Sequence, residues 1–582
     1  MLAPPGGGGS AASMCEREAA VGKRTGTRWL VALGVVAGLA LAGRGDVRWV
    51  ARAAQEGDCS AAIGPRTVVD GHSVGPEVCV IREERTIENA SGVPYRRVEI
   101  ALDGTLAGVA TLSGPRSEMF TDVPEFALAQ RDNDSERLPG VAHYSGDKGT
   151  GLTLFYPASP ADWNGLLYVT AHGAGSYAPV GELVPRRADQ FAPLTGANSY
   201  VGPMIDKGYA VAYTRRSSAI GHGDDEQATL DDGRTIGGLS FSYHTGLLRD
   251  FTALARNLVV ERLGRAPDRT YFYGHSAGGS LGRLMNYVPG ANRDTAGSPL
   301  FAGFIIDDAG GGYYQPRLVV DGRDVLFARP AERAAFAPQL EVAHQAYTGE
   351  TGDYLLLKRE NVRLLQVKGL GDKIRMYEVV GSSHFDAGRV SAMTDARSAL
   401  AAQNQDLGGI FDALIDDLDA WVARGVAPWP TRSDSYLLGD VDGDGIRENP
   451  AVALPETACP TGAYYIFPPG VDPGRGGTQL TAFAPYDGAD QEPLDSRGYF
   501  VDMNHNNIRD QRETLDEAWQ RRAVEGATTG TLAPGETLTH ERYVRCVVDV
   551  AAELVGERLL SPLAGAYYVE QARASSVGLG QP

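Results

Sequence analysis

The chain has 582 residues, 43% apolar and 22% charged, a globular composition long enough for two or three domains. Asp and Glu outnumber Lys and Arg by 73 to 54, and the net charge of −19 excludes a nucleic-acid partner, which needs clustered Lys and Arg. No H-E-x-x-H motif occurs, and no two of the 10 histidines stand four residues apart, so zinc-dependent hydrolysis has no support.

At the amino end, Lys23, Arg24 and Arg28 precede an apolar run from Trp29 to Gly43 that is bounded by Arg44. That run is short for a membrane span and suits the core of a signal peptide; Ala40-Leu41-Ala42 and Ala51-Arg52-Ala53 are small-residue cleavage sites. Residues 1–53 therefore read as a signal peptide and low-complexity leader, and the mature protein is expected to be secreted or periplasmic, with no stable span once the signal is removed. Cys15 falls in the leader, leaving Cys59, Cys79, Cys459 and Cys546. An even set in an exported chain points to disulfides, and Cys59–Cys79 with Cys459–Cys546 is the most local of the three pairings.

Residues 54–140 read as a β-rich segment packed on the core. Arg96 to Leu102 alternates in polarity, Asp103-Gly104 supplies a turn, and Leu106 to Leu112 alternates again. From 141 to 435 strand patterns alternate with helical ones, which predicts an α/β core with a mostly parallel sheet and helices on both faces. Gly165 to Thr170 is a buried strand leading into Ala171-His172-Gly173-Ala174-Gly175, and Thr245 to Leu263 is a helix. The strand Thr270 to Tyr273 then meets Gly274-His275-Ser276-Ala277-Gly278-Gly279. This G-x-S-x-G pattern between strand and helix places a serine at the apex of a turn too tight for flanking Cβ atoms.

Downstream, Leu300 to Ile306 is a strand ending in Asp307-Asp308, and residues 309–361 are predicted to form a cap over the site. Val362 to Val367 reads as a strand whose following loop carries Asp372, and Ile374 to Val380 as the last strand, ending in Gly381-Ser382-Ser383-His384. The order Ser276, Asp372, His384 is that of a Ser-Asp-His triad on such a sheet, with each member expected at a strand's carboxyl end. Serine at neutral pH is a poor nucleophile, so His384 would take its proton while Asp372 holds the imidazole's tautomer. Ala277 N–H, with Gly173 or Ala174, would bind the oxyanion. Asp308 is the alternative acid; Asp307 and Glu378 are weighed behind it.

Residues 436–582 form a C-terminal extension. In it Asp502, Asn504, Asn506, Ile508, Asp510 and Glu513 match positions 1, 3, 5, 7, 9 and 12 of a calcium loop, whose alternating oxygens converge on one ion. Asp440-Val441-Asp442-Gly443-Asp444 begins similarly but has Ala451 where the bidentate acid belongs. Structural Ca²⁺ is expected at the first loop, and no cofactor is expected for catalysis.

The run Arg375 to His384 resembles the last-strand motif of the "alpha/beta hydrolase domain" family of bacterial proteins. Asp442 to Pro455 and the closing stretch Glu541 to Pro562 are similar to later segments of that family. The nucleophile turn departs from it, with Ala277 where a Gln is expected. The resemblance implies an α/β-hydrolase fold and serine hydrolase activity, with the nucleophile at Ser276 and the base at His384. Motifs and resemblance together lead to the expectation of an exported hydrolase of small-molecule or polymeric carboxylic esters, acting through an acyl-enzyme. A lipase or polyester depolymerase is the narrower version, and a serine peptidase or amidase the second enzymatic class. A non-catalytic, calcium-stabilised binding protein is the alternative outside catalysis.

Overall fold

The structure, a computed structural model, describes residues 57–64, 68–69, 72–73, 76–107, 141–144, 151–172, 198–215, 227–230, 235–237, 244–287, 291–294, 296–309, 319–320, 323–324, 335–344, 358–359, 362, 365–382, 405–433, 451–465, 482–485, 514–524 and 532–579. A sheet of 13 strands organises it. In chain order these are β1 (Gly57–Asp58), β2 (Val78–Glu88), β3 (Pro94–Ala107), β4 (Val141–Tyr144), β5 (Gly151–Pro157), β6 (Leu166–His172) and β7 (Ala210–Arg215). They continue with β8 (Gln227–Leu230), β9 (Thr235–Gly237), β10 (Arg269–His275), β11 (Gly303–Asp307), β12 (Gln339–His344) and β13 (Ile374–Val379).

The path β9-β8-β4-β3-β5-β7-β6-β10-β11-β12-β13 is antiparallel at its first half and parallel from β7 onward. The parallel strands β6, β10, β11 and β12 are apolar on both faces or carry paired polar residues, as strands covered on both sides must be. Alternate residues supply two separate cores. Phe272, Leu167 and Val169 face helices α2 (His244–Leu263) and α3 (Ala277–Tyr287) through Leu254, Leu281 and Met285. Tyr271, Tyr273 and Tyr168 face α1 (Asn198–Asp206) and α4 (Gly408–Arg424) through Tyr200, Met204, Phe411 and Leu414.

Three expectations are corrected here. Asp103-Gly104 is not a turn: β3 runs straight through it, exchanging its partners β2 and β5 for β4 at Gly104, and its hairpin partner is β2. The 309–361 span is not wholly a cap, because Gln339–His344 is β12, inserted between β11 and β13 in the core sheet. Residues 362–370 are not a strand; those described are helical, ending in a π-helical turn over Gln366–Leu370 with Gly369 left-handed. Their apolar residues Val362 and Leu365 pack with Ile374 and Met376 instead of pairing with a neighbour.

The C-terminal region joins the same core. Helices α5 (Pro455–Ala458), α6 (Leu515–Val524), α7 (His540–Gly556) and α8 (Pro562–Ala574) contribute Leu454, Trp519, Val547, Leu554 and Ala564 to the α4 side. Arg432 and Val452 hydrogen-bond the outer edge of β13 at Met376, Glu378 and Val380, which covers an edge otherwise open to pairing. Disulfides join Cys59 to Cys79 and Cys459 to Cys546. Among the described residues no helix is long and apolar enough to cross a membrane.

Glu456, in α5, has a carboxylate oxygen, Oε2, that is cut off from solvent and makes no hydrogen bond among the described residues, although the residue as a whole is only half-buried. Burial, partly offset by a hydrogen bond with Tyr568, raises its carboxyl to about 7. With the folded value above the ordinary one, this group's stabilisation is complete below the ordinary carboxylate range and is lost as pH rises through about 7. Glu456→Gln is therefore expected to raise the melting temperature at pH 8 while leaving it nearly unchanged at pH 4, as thermal scans at both values would show.

Candidate active site

The turn around Ser276 is built by close backbone approach. A Cβ on Gly278 would lie 1.8 Å from the carbonyl oxygen of Ala171 near the end of β6, and one on Gly274 would lie 2.4 Å from Gly278 O. Only glycine lets β6, β10 and the first turn of α3 meet so tightly. Ser276 between them takes φ 56, a left-handed conformation that costs a serine about 1–2 kcal/mol. Its N–H donates to Asp307 O at 2.9 Å, so the amide of Ser276 is held by β11. Ala277 begins α3, where unpaired backbone N–H groups favour negative charge.

Beside this turn, the carboxyl ends of β11 and β12 present a buried charged set. Asp307 accepts from Tyr273 Oη at 2.5 Å through Oδ2, and its Oδ1 lies 2.8 Å from His344 Nε2, at an angle that does not form a linear hydrogen bond. Burial works against charge on Asp307, but His344 and then His275 outweigh it and hold its carboxyl below the usual range. Asp308, fully buried at φ 43, accepts from the backbone N–H of His344 at 2.8 Å and from Lys358 Nζ, both at Oδ1. For His344, burial opposes charge, while Asp308 and Asp307 together raise its pKa above the ordinary imidazole value.

Asp372 stands elsewhere. It is exposed in the turn that precedes β13, at the amino end of the parallel strands, whereas Ser276 follows the carboxyl end of β10. The expectation that Asp372 closes the triad is corrected: the strand thought to lead into it is helical, so the residue falls at the wrong end of the sheet. Glu378 is engaged by Arg359 Nη2 at 2.8 Å and by Ser433 Oγ at 3.0 Å, which ties β13 to its neighbours. After β13, Gly381 turns left-handed at φ 70 and Ser382 is buried, donating to Val379 O at 2.7 Å. His384 lies outside the described residues, as do Gly173 and Ala174 and the calcium-loop residues Asp502, Asn504, Asn506, Ile508, Asp510 and Glu513.

Reading the residues one by one missed the parts played by His344, Lys358 and Tyr273. A signal for His344 was present in Gln339-Leu340-Glu341-Val342-Ala343-His344, whose alternation is that of a strand. Its polar members Gln339 and Glu341 are buried against Asn286, Tyr287 and Arg283 of α3.

Residues 237–485 match the family described as "Alpha/beta hydrolase domain". The sheet and the helices on both its faces have the α/β-hydrolase architecture. Solved structures similar to this chain include feruloyl esterase B from Aspergillus oryzae, 9% identical over 60% of this chain and 88% of that one, with a TM-score of 0.31. A tannin acyl hydrolase from Aspergillus niger is 14% identical over 43% of this chain, with a TM-score of 0.23, and the match spans only 36% of that enzyme. An esterase from Pyrococcus furiosus is 9% identical over 39% of this chain and 77% of that one, with a TM-score of 0.23. No curated protein matches the chain in sequence.

The turn leaves no room for a methyl group at Gly278. Gly278→Ala is expected to cost about 3 kcal/mol, because backbone must move. Gly556→Ala, at a position with nothing within 4 Å of the new Cβ, should stay within about 0.5 kcal/mol of the parent. Denaturant midpoints of the two variants check this.

Proposed function

We propose that this protein is a serine hydrolase of carboxylic esters that works through an acyl-enzyme on Ser276. The observation that carries the reading is the strained turn itself: Ser276 at φ 56, at the head of α3, beside a buried pair of acids at the carboxyl end of β11. Strain of this kind persists where the surrounding packing enforces it, and it is typical of catalytic turns.

In this mechanism Ser276 Oγ attacks the acyl carbonyl while His384, beyond the end of the last strand, takes the proton. Ala277 N–H, with Gly173 or Ala174, binds the oxyanion of the tetrahedral intermediate. His384 then returns the proton to the leaving alcohol, and water releases the acid by the reverse steps. Asp308 replaces Asp372 as the acid that orients His384 and stabilises its imidazolium. Its support is position, since it ends the strand next to the nucleophile strand and is wholly buried. The two disulfides suit an oxidising compartment, in line with export. Ca²⁺ at Asp502 to Glu513 would be structural in this reading; chelation by EGTA should then lower the melting temperature, and restoring Ca²⁺ should recover it.

Hydrolysis of p-nitrophenyl esters of graded acyl length tests the assignment. Ser276→Ala is expected to lose about 10⁴–10⁶-fold in kcat, and Asp308→Asn about 10²–10⁴-fold. Asp372→Asn should stay within about twofold of the parent, because an exposed turn residue rarely matters to the site. Turnover surviving in Ser276→Ala would end the serine-hydrolase reading, and loss in Asp372→Asn alone would return the acid to that residue.

A further inference from the structure

Ser276 and Asp308 are two of the three non-glycine residues at positive φ among the described residues, at 56 and 43. They stand just past the ends of neighbouring strands, β10 and β11, and one peptide group links them. The peptide between Asp307 and Asp308 accepts the Ser276 N–H on its carbonyl at 2.9 Å and donates its own N–H to Val342 O of β12 at 2.8 Å. It is a crossbar from the end of β10 to β12. A flip of this peptide would return Asp308 to negative φ, where an L-residue is relaxed, and would swing the carbonyl away from Ser276. The side chains at its two ends oppose that flip.

At the Asp307 end both carboxylate oxygens face a partner. Tyr273 Oη donates to Oδ2 at 2.5 Å, and His344 Nε2 lies 2.8 Å from Oδ1. Burial, and then the charge of Asp307, push the phenol well above its ordinary pKa, so the proton stays on Tyr273 and the tyrosine is the donor. In register Tyr273 lies opposite Ile305 and His275 opposite Asp307, so the phenol reaches Asp307 diagonally, along the strand that leads to Ser276. A loop closes in this way: from the Tyr273 side chain to the Asp307 carboxylate, from the Asp307 carbonyl to the Ser276 amide, and along the chain back to Tyr273. The Tyr273 ring is itself fixed, stacked on Tyr200 of α1 at 4.0 Å and edge-on to Phe411 of α4 at 5.6 Å. At the other end Asp308 takes the backbone N–H of His344 and Lys358 Nζ. Tyr273 is 1% exposed and Asp307 3%, so neither side chain meets a substrate, and their influence on a reaction passes through Ser276.

We infer, on the footing of the ester-hydrolase reading, that Tyr273 and Asp307 are positioning residues for the Ser276 hydroxyl: the phenol pins the Asp307 carboxylate, the carboxylate keeps the 307–308 peptide from flipping, and that peptide's carbonyl holds the Ser276 amide in its left-handed turn. A hydrogen bond to a carboxylate is stronger than one between neutral groups, and removing its donor leaves a buried oxygen short of a partner. The carboxylate then turns to find one and carries the peptide with it. A reacting atom displaced by about 1 Å costs about 100-fold in rate, so a small shift of this crossbar is enough to be seen.

The full chain and its Tyr273→Phe, Asp307→Asn, Asp307→Ala and Tyr273→Phe/Asp307→Ala variants are to be compared for kcat and KM on p-nitrophenyl butyrate. Titration with a fluorophosphonate counts reactive sites: lost folding lowers the number of sites, whereas lost positioning lowers the rate per site. Tyr273→Phe keeps the stacked ring and removes only the hydroxyl. It is expected to lower kcat per titrated site about 10-fold, with KM within about threefold. Its rate of reaction with the fluorophosphonate should fall in the same proportion, because both reactions begin with attack by Ser276 Oγ. Asp307→Ala is expected to lose about 100-fold, and Asp307→Asn, which keeps an oxygen for the phenol, should recover most of that loss. Adding Tyr273→Phe to Asp307→Ala should change nothing further, since the phenol then has no carboxylate to pin. If the alanine variants do not fold, the rate per site in Tyr273→Phe and Asp307→Asn decides. Variants that keep the parent's rate per titrated site, losing only sites or melting temperature, would reduce both residues to packing and overturn the inference. So would losses that multiply in the double variant. A parent that neither cleaves esters nor takes up the fluorophosphonate overturns the ester-hydrolase reading itself, and the inference with it.

Discussion

Everything near the site follows from one constraint, the contact between backbones where β6, β10 and α3 converge. The carbonyl of Ala171 occupies the space a side chain at Gly278 would need, and Gly278 does the same to Gly274. Main chains in such contact leave a turn of one residue, and Ser276 is driven to positive φ because no relaxed path joins strand to helix there. The strain is repaid by packing on both sides. Leu281 and Met285 of α3 are buried against the sheet, and Gly282 admits Phe272 and Ile306 at distances no larger residue would allow. The turn is therefore a consequence of the core.

A second constraint is the burial of charge along β12. Glu341 accepts Arg283 Nε at 2.9 Å and Tyr287 Oη at 3.2 Å, and Gln339 bridges Glu341 and Asn286 at 2.7 and 2.9 Å. A buried ion pair gives little net stability compared with apolar packing, but breaking one leaves an uncompensated charge that costs about 3–5 kcal/mol. The value of this network is direction. Arg283, Asn286 and Tyr287 of α3 all bond to this strand, so the helix that follows Ser276 has one register against β12, and His344 at the end of that strand is brought to the acids with it. The polar strand and the nucleophile turn are two ends of a single rigid unit.

The C-terminal region completes that unit from the far side. Arg432 and Val452 run along β13, and Glu553 of α7 and Glu557 at its C-cap reach Arg432 at 3.4 and 2.6 Å. The Cys459–Cys546 disulfide ties the end of α5 to α7 across 87 residues of chain, a long loop whose closure in the unfolded state removes much entropy. Trp519, wholly buried, donates to Pro460 O at 2.9 Å and carries α6 into the same cluster. The last strand, whose continuation leads to His384, is thus held on both edges, by β12 and by the residues around 432 and 452.

The elements read most directly from the residues are those whose cause is local. Gly274 to Gly279 announces its turn because only that spacing of small residues permits it, and the apolar runs of β6, β10 and β13 mark strands buried on both faces. The long helix expected from Thr245 begins one residue earlier, and the four cysteines pair as their proximity in the chain predicts. β12 was hidden because its polar side chains find partners more than 50 residues away, in α3, and pattern cannot distinguish a satisfied buried glutamate from a solvated one. Asp372 was misplaced for the complementary reason: Val362 and Leu365 are as apolar as a strand requires, but what they pack against is set by the fold. The sequence by itself determined the turn around Ser276 and the α/β class, because these rest on sterics among neighbours in the chain. Only the tertiary structure brought His344 and Lys358 against Asp307 and Asp308, because that depends on which strand fills the gap between β11 and β13.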